Sequence, residues 1–243
     1  MRSLFSKIAF TAALMLAMTF TFSCSGGDDN EGGGGSCNIG SYRTVPIGDQ
    51  VWMAENLNCD IAGSKCYNND PANCVKYGRL YNWATAMALP ASCNSSSCAS
   101  QISTKHKGIC PSGWHIPSDA EWTTLTDFIG SNPGTKLKAT SGWNKNSDVH
   151  FSASKCDESE CIYQDAPLGT DIYGFAALPG GYGLPDGSFY NVGNVGDWWA
   201  SSEKTSGNNF DVYRRNINCG GEYVGRNDRL QSIFFFSIRC VKD

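Results

Sequence analysis

Twelve cysteines in 243 residues constrain this chain more than any other feature. Such a number is typical of a secreted protein whose cysteines pair as disulfides in an oxidising compartment. Three pairs lie close together in the chain and predict disulfides that close small polar loops: Cys66 with Cys74, Cys93 with Cys98, and Cys156 with Cys161. We also expect a disulfide between Cys110 and Cys240. It would close a long loop and contribute the most, about 4–5 kcal/mol in the chain-entropy model.

The remaining cysteines do not pair so simply. Cys24 is set aside for lipid attachment, which leaves Cys37, Cys59 and Cys219. We expect Cys59 to pair with Cys219, so that one odd thiol remains. The sequence contains no Cys-x2-Cys pair and its three histidines are isolated, so neither a metal site nor a cofactor is predicted.

Residues 1–23 have the features of a lipoprotein signal peptide. Arg2 and Lys7 supply a basic start, and residues 8–22 are almost entirely apolar. This apolar segment is too short to span a membrane comfortably and fits the hydrophobic region of a signal peptide.

Cys24 lies where a lipoprotein would be cleaved and lipidated, directly after the small residue Ser23. We therefore expect a palmitate-type lipid on Cys24 and a flexible Gly- and Asp-rich linker over residues 24–36. The lipid would make the membrane a partner and place the protein on the bacterial outer membrane, exposed at the surface. Because Thr21 and Phe22 depart from the usual lipoprotein motif, an ordinary signal peptide cut nearby is the alternative.

The charge balance argues against nucleic acid as a partner. The chain carries 19 Lys and Arg against 23 Asp and Glu, and loss of Arg2 and Lys7 with the signal peptide would make it more acidic still. Such a surface repels the phosphate backbone. Residues 37–243 are numerous enough to form one well-packed domain.

Two segments predict helices. Residues 77–89 place four apolar side chains on one face before Pro90: Leu80, Trp83, Ala84 and Met87. The second helix begins at Ser118, whose spacing to Glu121 matches a capping box, and ends before Gly130. Its apolar face is predicted to contain Trp122, Leu125, Phe128 and Ile129.

The rest of the ordered chain predicts short strands. Residues 44–53 fit a hairpin around Gly48 and Asp49, and residues 136–143 are expected to be extended. Residues 145–170 form a long polar excursion. Further strands are predicted over residues 198–202, 210–217 and 233–241, the last as a central strand because it is largely apolar. Two helices followed by short strands indicate the α+β class.

Six ordered blocks resemble the Fibrobacter succinogenes major paralogous domain family, from about Thr44 to the C-terminus. The blocks are VWMAENL at 51–57, YGRLYNW at 77–83, residues 110–122, GFAALPGG at 174–181, WWASSE at 198–203 and SIRCV at 237–241. The resemblance implies a bacterial cell-envelope protein, often a lipoprotein, without a settled biochemical activity. It also implies a C-type-lectin-like fold, in which two helices pack on a small twisted antiparallel sheet with long disulfide-stapled loops. The Cys110–Cys240 disulfide would then end at the last strand.

The calcium-dependent sugar motif of true C-type lectins is not carried over. Those lectins have Glu-Pro-Asn or Gln-Pro-Asp in the long loop, followed by Trp-Asn-Asp. This chain offers only Leu184-Pro185-Asp186, and no Trp-Asn-Asp follows. A calcium-dependent sugar site is therefore not expected.

Aromatic side chains in Gly-rich loops are the best candidates for ligand binding. The chain has seven Trp and ten Tyr, and aromatic rings can stack on sugar rings. We expect Tyr182, Phe189 and Tyr190 to be exposed. Since Trp198 and Trp199 are adjacent in a strand, they point to opposite faces, and we expect Trp199 to be the freer of the two. The alternative is that these aromatics pack in the core.

The polar candidates support structure better than catalysis. His115 lies in a turn and is expected to be a hydrogen-bonded structural residue, because the sequence signals no nucleophile partner. Asp157, Glu158 and Glu160 could bind a hard cation, although a solvated acidic loop is the simpler interpretation. Four arginines are expected to pair with acids such as Glu203 and Asp211: Arg214, Arg215, Arg226 and Arg239.

Three functions remain open from the sequence. The first is a non-enzymatic cell-surface recognition or adhesion module that binds glycans or an envelope component. The second is a structural envelope protein without a small ligand. The third is an enzyme, because formylglycine-generating enzymes have a lectin-like scaffold, and it would require the odd thiol to be reactive.

Overall fold

The computed structural model describes residues 42–144, 168–206, 209–230 and 233–243. Within these ranges the chain forms four α-helices and nine strands, so the α+β class is confirmed. The helices are α1 (Pro71–Tyr77), α2 (Trp83–Ala86), α3 (Asp119–Ile129) and α4 (Pro133–Leu137). No helix of the described ranges is long and apolar enough to cross a membrane.

The strands form three small antiparallel sheets. A four-stranded sheet has the order β1 (Thr44–Ile47), β2 (Gln50–Met53), β9 (Val241–Lys242) and β3 (Trp114–His115). A two-stranded sheet pairs β4 (Tyr182–Gly183) with β5 (Phe189–Tyr190). A three-stranded sheet consists of β6 (Val195–Ser206), β7 (Asn209–Asn218) and β8 (Gly225–Leu230). The predicted hairpin at Gly48 and Asp49 is confirmed as the β1–β2 turn.

Helix α3 begins as its sequence predicts. The Ser118 hydroxyl accepts a hydrogen bond from the Glu121 amide at 3.2 Å, and the Glu121 carboxylate accepts one from the Ser118 amide at 2.8 Å. This capping box satisfies two amides that have no partner inside the helix. Gly130 caps the other end with a φ of 71°. Three residues of the predicted apolar face are buried, as expected: Trp122, Leu125 and Ile129. Phe128 is instead 56% exposed, and its ring meets the ring of Tyr173 edge-on.

The predicted single helix over residues 77–89 is wrong. Helix α1 ends at Tyr77 because Gly78 adopts a left-handed φ of 78°, a conformation that favours glycine. Leu80 then bridges Lys65, and Tyr81 bridges Phe236 across the fold. Helix α2 starts only at Trp83, where the Asn82 side chain caps it.

Two predicted extended segments also differ from the structure. Lys136 and Leu137 belong to α4 rather than to a strand. The next residue, Lys138, forms an isolated parallel bridge with Ala177. Residues 233–241 occupy the predicted central position without forming one continuous strand. Instead, single bridges join Phe235 to Gly183 and Ser237 to Trp198, and strand β9 begins at Val241.

Three predicted disulfides are confirmed, and one is wrong. Cys66–Cys74, Cys93–Cys98 and Cys110–Cys240 are formed, the last joining residues 130 positions apart. Cys59 is disulfide-bonded, whereas Cys219 is a buried thiol, so they do not pair with each other. The predicted Cys59–Cys219 disulfide was wrong because the positions of two leftover cysteines in the sequence do not show whether they lie close together in space. Cys24, Cys37, Cys156 and Cys161 lie outside the described residues, as do the signal peptide and linker.

The core consists of two large clusters of buried side chains. One contains Trp83, Trp199 and Phe236, and the other contains Trp52, Trp122 and Trp198. Adjacent residues of β6 therefore contribute to different clusters, as strand geometry requires. Both Trp198 and Trp199 are fully buried, because each face of this strand is covered.

Candidate functional site

The β4–β5 hairpin carries two of the three aromatic residues of the candidate site, Tyr182 and Tyr190. Its register places Tyr182 opposite Tyr190, and their ring centroids are 5.9 Å apart. The Phe234 ring lies 6.2 Å from that of Tyr182. Tyr190 is 46% exposed, while Tyr182 and Phe234 are half-buried. Tyr182, Tyr190 and Phe234 together are named the aromatic surface below.

The hairpin turn is held by local polar contacts. The Asp186 carboxylate accepts hydrogen bonds from the Ser188 hydroxyl at 2.6 Å and from the Ser188 amide at 2.9 Å. These bonds lower the pKa of Asp186 below its usual value. The Leu184 amide donates to the Ser188 carbonyl at 2.8 Å. The turn therefore fixes the register that places Tyr182 opposite Tyr190.

The aromatic surface rests on buried rings. Phe236 lies beneath it, with centroid distances of 6.1 Å to Tyr182 and 6.0 Å to Phe234. Below Phe236, the Trp199 ring lies 4.4 Å away and donates its indole N–H to the Tyr81 carbonyl at 2.7 Å. The exposed rings are thus supported by packed aromatic residues rather than by a mobile loop.

The structure brings together two of the four residues predicted to bind ligand. Tyr182 and Tyr190 share one surface. Phe189 is half-buried and packs against Tyr67, with centroids 5.4 Å apart, in a separate small cluster. The prediction for Trp199 is wrong, since this side chain is fully buried under Phe236. Phe234 was not predicted as a site residue, because it belongs to a run of apolar residues that was assigned to a central strand.

A concave feature lies elsewhere on the described part of the chain. It is a cleft of about 430 Å³. Its lining comes from four separate stretches of chain: Tyr42, Arg43, Glu55, Asn56, Asn58, Cys74, Val75, Lys76, Tyr77, Gly78 and Leu178. This lining is named the Tyr42 cleft below. No local pattern in the sequence indicates it, because residues so far apart meet only in the folded chain.

An ion pair lies at the edge of the Tyr42 cleft. The Arg43 guanidinium donates from Nε to the Glu55 carboxylate at 2.7 Å, and both side chains are substantially exposed. The Tyr42 hydroxyl accepts a hydrogen bond from the Asn58 amide at 2.9 Å. Burial raises the pKa of Tyr42, so its hydroxyl is neutral near pH 7.

Asn56 forms the inner wall of the cleft and is fully engaged by the protein. Its amide nitrogen donates to the Tyr77 carbonyl at 2.9 Å and to the Ser237 hydroxyl at 3.3 Å. Its oxygen accepts from the Trp198 indole at 2.8 Å and from the Arg239 guanidinium at 2.7 Å. Since every polar atom of this side chain has a protein partner, Asn56 supports structure rather than ligand binding.

Arg239 is a fully buried cation held mostly by neutral oxygens. Its guanidinium donates to the carbonyls of Phe175 and Ala176 as well as to Asn56. The Phe175 ring lies 4.3 Å from its central carbon. Burial lowers the pKa of Arg239 to about 9, although Asp171 and Glu55 oppose this shift. The pKa remains above 7, so the charge is retained at neutral pH and must be solvated by these groups.

The His115 side chain is hydrogen-bonded, as predicted. The ring is 1% exposed and contacts the Glu121 carboxylate at 2.8 Å and the Asp243 carboxylate at 2.7 Å. Burial alone would lower the pKa of His115, but these two hydrogen bonds outweigh it and raise the pKa. The nearby Ser118 hydroxyl donates to Glu121, not to the histidine, so the cluster does not activate a serine.

The arginines have partners other than those predicted. Arg214 pairs with Asp197, whereas Arg215 and Arg226 both pair with Asp119 at the start of α3. Glu203 instead accepts hydrogen bonds from the loop closed by Cys93–Cys98. The sequence could not rank these acids, since each lies far along the chain from its partner.

Nothing in the described ranges of the chain assembles three or more His, Cys, Asp or Glu residues as a metal site. The predicted alternative cation ligands, Asp157, Glu158 and Glu160, lie outside the described residues.

Comparison with known proteins identifies the family. The model of the Fibrobacter succinogenes major domain matches residues 45–242, which include every described strand and helix from β1 to β9 apart from Thr44, the first residue of β1. No curated protein and no solved structure matches the chain significantly. Because the match covers most of the sequence, the chain belongs to the Fibrobacter succinogenes major domain family.

Proposed function

We propose that this protein is a non-enzymatic recognition module of the bacterial cell envelope, which binds glycans or another envelope component through the aromatic surface. The observation that carries the proposal is the grouping of Tyr182 and Tyr190 of the β4–β5 hairpin with Phe234 of the chain's last segment, at a surface where Tyr190 is 46% exposed. An aromatic ring left exposed beside other partly exposed rings forms an apolar surface patch of the kind that often marks a binding site. Tyrosine also combines an apolar face for stacking with a hydroxyl for hydrogen bonding.

The support beneath these rings favours binding. Phe236 and Trp199 hold the aromatic surface from below, so little conformational entropy is lost when a ligand stacks on it. The disulfides of the domain agree with a secreted location, because such bonds persist in oxidising compartments. We further propose that the lipid on Cys24 and the linker over residues 24–36 attach this domain to the outer membrane.

We also propose a C-type-lectin-like arrangement for the fold. It is supported by the disulfide from Cys110, in the turn before α3, to Cys240, next to β9. The sheet order β1-β2-β9-β3 adds to this support, because it pairs the terminal strand with strands from the first half of the chain.

The burial of Cys219 supports a non-enzymatic role. A formylglycine-generating activity would need a reactive, accessible cysteine, whereas Cys219 is 3% exposed and Cys59 is disulfide-bonded. Thiol labelling of the native protein tests this alternative. Rapid modification at neutral pH would reopen an enzymatic function. The purely structural alternative predicts no ligand for the aromatic surface.

Binding of the full-length protein to a polysaccharide panel and to envelope extracts tests the proposal. We expect Tyr190→Ala and Tyr182→Ala to weaken binding at least about tenfold, since stacking and hydroxyl contacts are lost. Tyr223→Ala is a matched control, because Tyr223 is 71% exposed and lies outside the aromatic surface. Failure of every polysaccharide and extract to bind, or equal losses in the control, would contradict the proposal.

A further inference from the structure

The Tyr42 cleft has open hydrogen-bonding groups that the protein itself does not use. Arg43 donates to Glu55 through its Nε only, and within the described part of the chain its two terminal nitrogens make no hydrogen bond. The second oxygen of the Glu55 carboxylate is likewise open there. The exposed Asn58 side chain also lines the cleft. These groups surround a volume of about 430 Å³, within the size range of small-ligand sites.

The charges of the cleft favour an anion with further polar groups. Arg43 and Lys76 are positive, and Glu55 is the one acidic residue of its lining. The ion pair with Glu55 holds the Arg43 guanidinium by Nε, which leaves the two terminal nitrogens as a fork. Such a fork matches the two oxygens of a carboxylate. Lys76, whose ammonium lies 4.7 Å above the Tyr77 ring, adds a second positive charge.

Glu55 constrains the rest of the ligand. A ligand with a carboxylate and no other polar group would lie near the negative charge of Glu55 and form no hydrogen bond that offsets the repulsion. A ligand that also carries hydroxyl groups could donate a hydrogen bond to the open Glu55 oxygen and share others with the Asn58 amide. Hydroxyl groups beside a carboxylate are the chemistry of a sugar acid.

We infer that the Tyr42 cleft binds a uronic acid residue of an acidic polysaccharide, with the Arg43 fork on its carboxylate and Glu55 and Asn58 on its hydroxyl groups. The cleft contains no residue of the aromatic surface, so the inference stands independently of the function proposed for that surface. It assigns the protein a second contact, specific for charge, on a saccharide chain.

Equilibrium binding of the full-length protein to polygalacturonate and alginate, each compared with its methyl-esterified form, tests this inference. Esterification retains the sugar backbone and removes the charge. We expect the acidic polymers to bind at least about tenfold more tightly, the size of effect typical of a charge-assisted bidentate contact. Arg43→Gln should abolish this preference. Free galacturonate should compete for the site, whereas acetate at the same concentration should not.

Two control variants distinguish binding in the cleft from a general effect of net charge and from binding at the aromatic surface. Lys105→Gln makes the same change in net charge at an exposed position outside the cleft and should retain the preference. Tyr190→Ala should also retain it, even if total binding falls. Equal binding of acidic and esterified polymers, binding of neither, or an equal loss in Lys105→Gln would overturn the inference. Competition by acetate as strong as by galacturonate would reject the sugar acid.

Discussion

The interior around Arg239 and the exterior around Tyr190 differ in what their side chains contact. In the interior, Asn56, Trp198 and Arg239 use their polar atoms on one another and on the backbone. On the exterior, Tyr190 packs against Tyr182 on one side and faces solvent on the other. The first region is self-sufficient, whereas the second leaves polar and apolar surface available to a ligand.

This difference bears on what membership of the family means. The blocks that carry the resemblance supply the interior residues: Trp52, Asn56, Trp83, Trp114, Trp122, Trp198, Trp199 and Arg239 are all buried. Tyr190 and Arg43, by contrast, lie outside those blocks. These blocks therefore account mainly for how the domain folds, and of the residues proposed to contact a ligand only Glu55, in the first block, belongs to them.

The largest effect on stability is expected from the long-range disulfide. Replacing Cys110 and Cys240 by serine should lower the free energy of unfolding by about 5 kcal/mol, because a loop of 130 residues is no longer closed in the unfolded chain. Replacing Cys93 and Cys98, which are only 5 positions apart, should cost about 2 kcal/mol. Denaturant unfolding of both double variants measures the difference. Equal losses would show that loop closure is not the dominant contribution.

Asn56→Leu should lower the free energy of unfolding by about 3–5 kcal/mol, because the buried Arg239 charge loses an acceptor that solvates it. Asn58→Leu is the matched control, since Asn58 is exposed, and it should change stability by less than about 0.5 kcal/mol. Thermal and denaturant unfolding compare the two variants. A loss at position 56 no greater than at position 58 would refute a self-sufficient interior.

His115→Gln should lower the free energy of unfolding by about 2–3 kcal/mol at acidic pH, because the charged hydrogen bonds to Glu121 and Asp243 are lost. The raised pKa of His115 gives stability that is complete below its ordinary value of 6.5 and disappears as pH rises through the folded value. The pKa of Glu121 is lowered, because bonds from His115 and Ser118 outweigh burial. Its contribution is present above 4.5 and disappears as pH falls through the folded value.

The difference in melting temperature between wild type and His115→Gln should therefore be greatest from about pH 4.5 to 6.5 and smaller at pH 9. Melting curves across this range measure it. A difference that does not vary with pH would mean that the histidine acts through packing alone.

The smallest effect on stability is expected at the aromatic surface. Tyr190→Ala should change the free energy of unfolding by only about 0.5 kcal/mol, because nearly half of the side chain is already exposed. Unfolding of this variant, measured beside its polysaccharide binding, sharpens the contrast with Asn56. A loss of several kcal/mol would place Tyr190 in the core.

Local signals in the sequence were sufficient for several elements. Ser118 and Glu121 predicted the start of α3, and Gly48 with Asp49 predicted the first hairpin, because these motifs satisfy backbone groups within a few residues. The pairing of Cys110 with Cys240 was also predicted correctly. Of the hairpin aromatics predicted to be exposed, Tyr190 is exposed, whereas Tyr182, opposite it on the hairpin, and Phe189 are half-buried.

The failures share a non-local cause. The apolar spacing of Leu80, Trp83 and Met87 resembled a helix, but Gly78 ends α1 and Tyr81 pairs with Phe236 from the far end of the chain. Strand alternation placed Trp198 and Trp199 on opposite faces correctly, yet it contains no information on which face is covered. The Tyr42 cleft was missed for the same reason, because its lining comes together only through tertiary contacts.

Native-state hydrogen exchange tests the central division between interior and exterior most directly. The Leu57 amide, bonded to the Ile238 carbonyl at 2.8 Å, and the Phe236 amide, bonded to the Tyr81 carbonyl at 3.0 Å, should exchange only through global unfolding. The Leu184 amide, bonded to the Ser188 carbonyl at 2.8 Å within the exposed hairpin, should exchange through local opening at a lower free energy. Equal protection of all three amides, or weaker protection of Leu57 and Phe236 than of Leu184, would contradict this account.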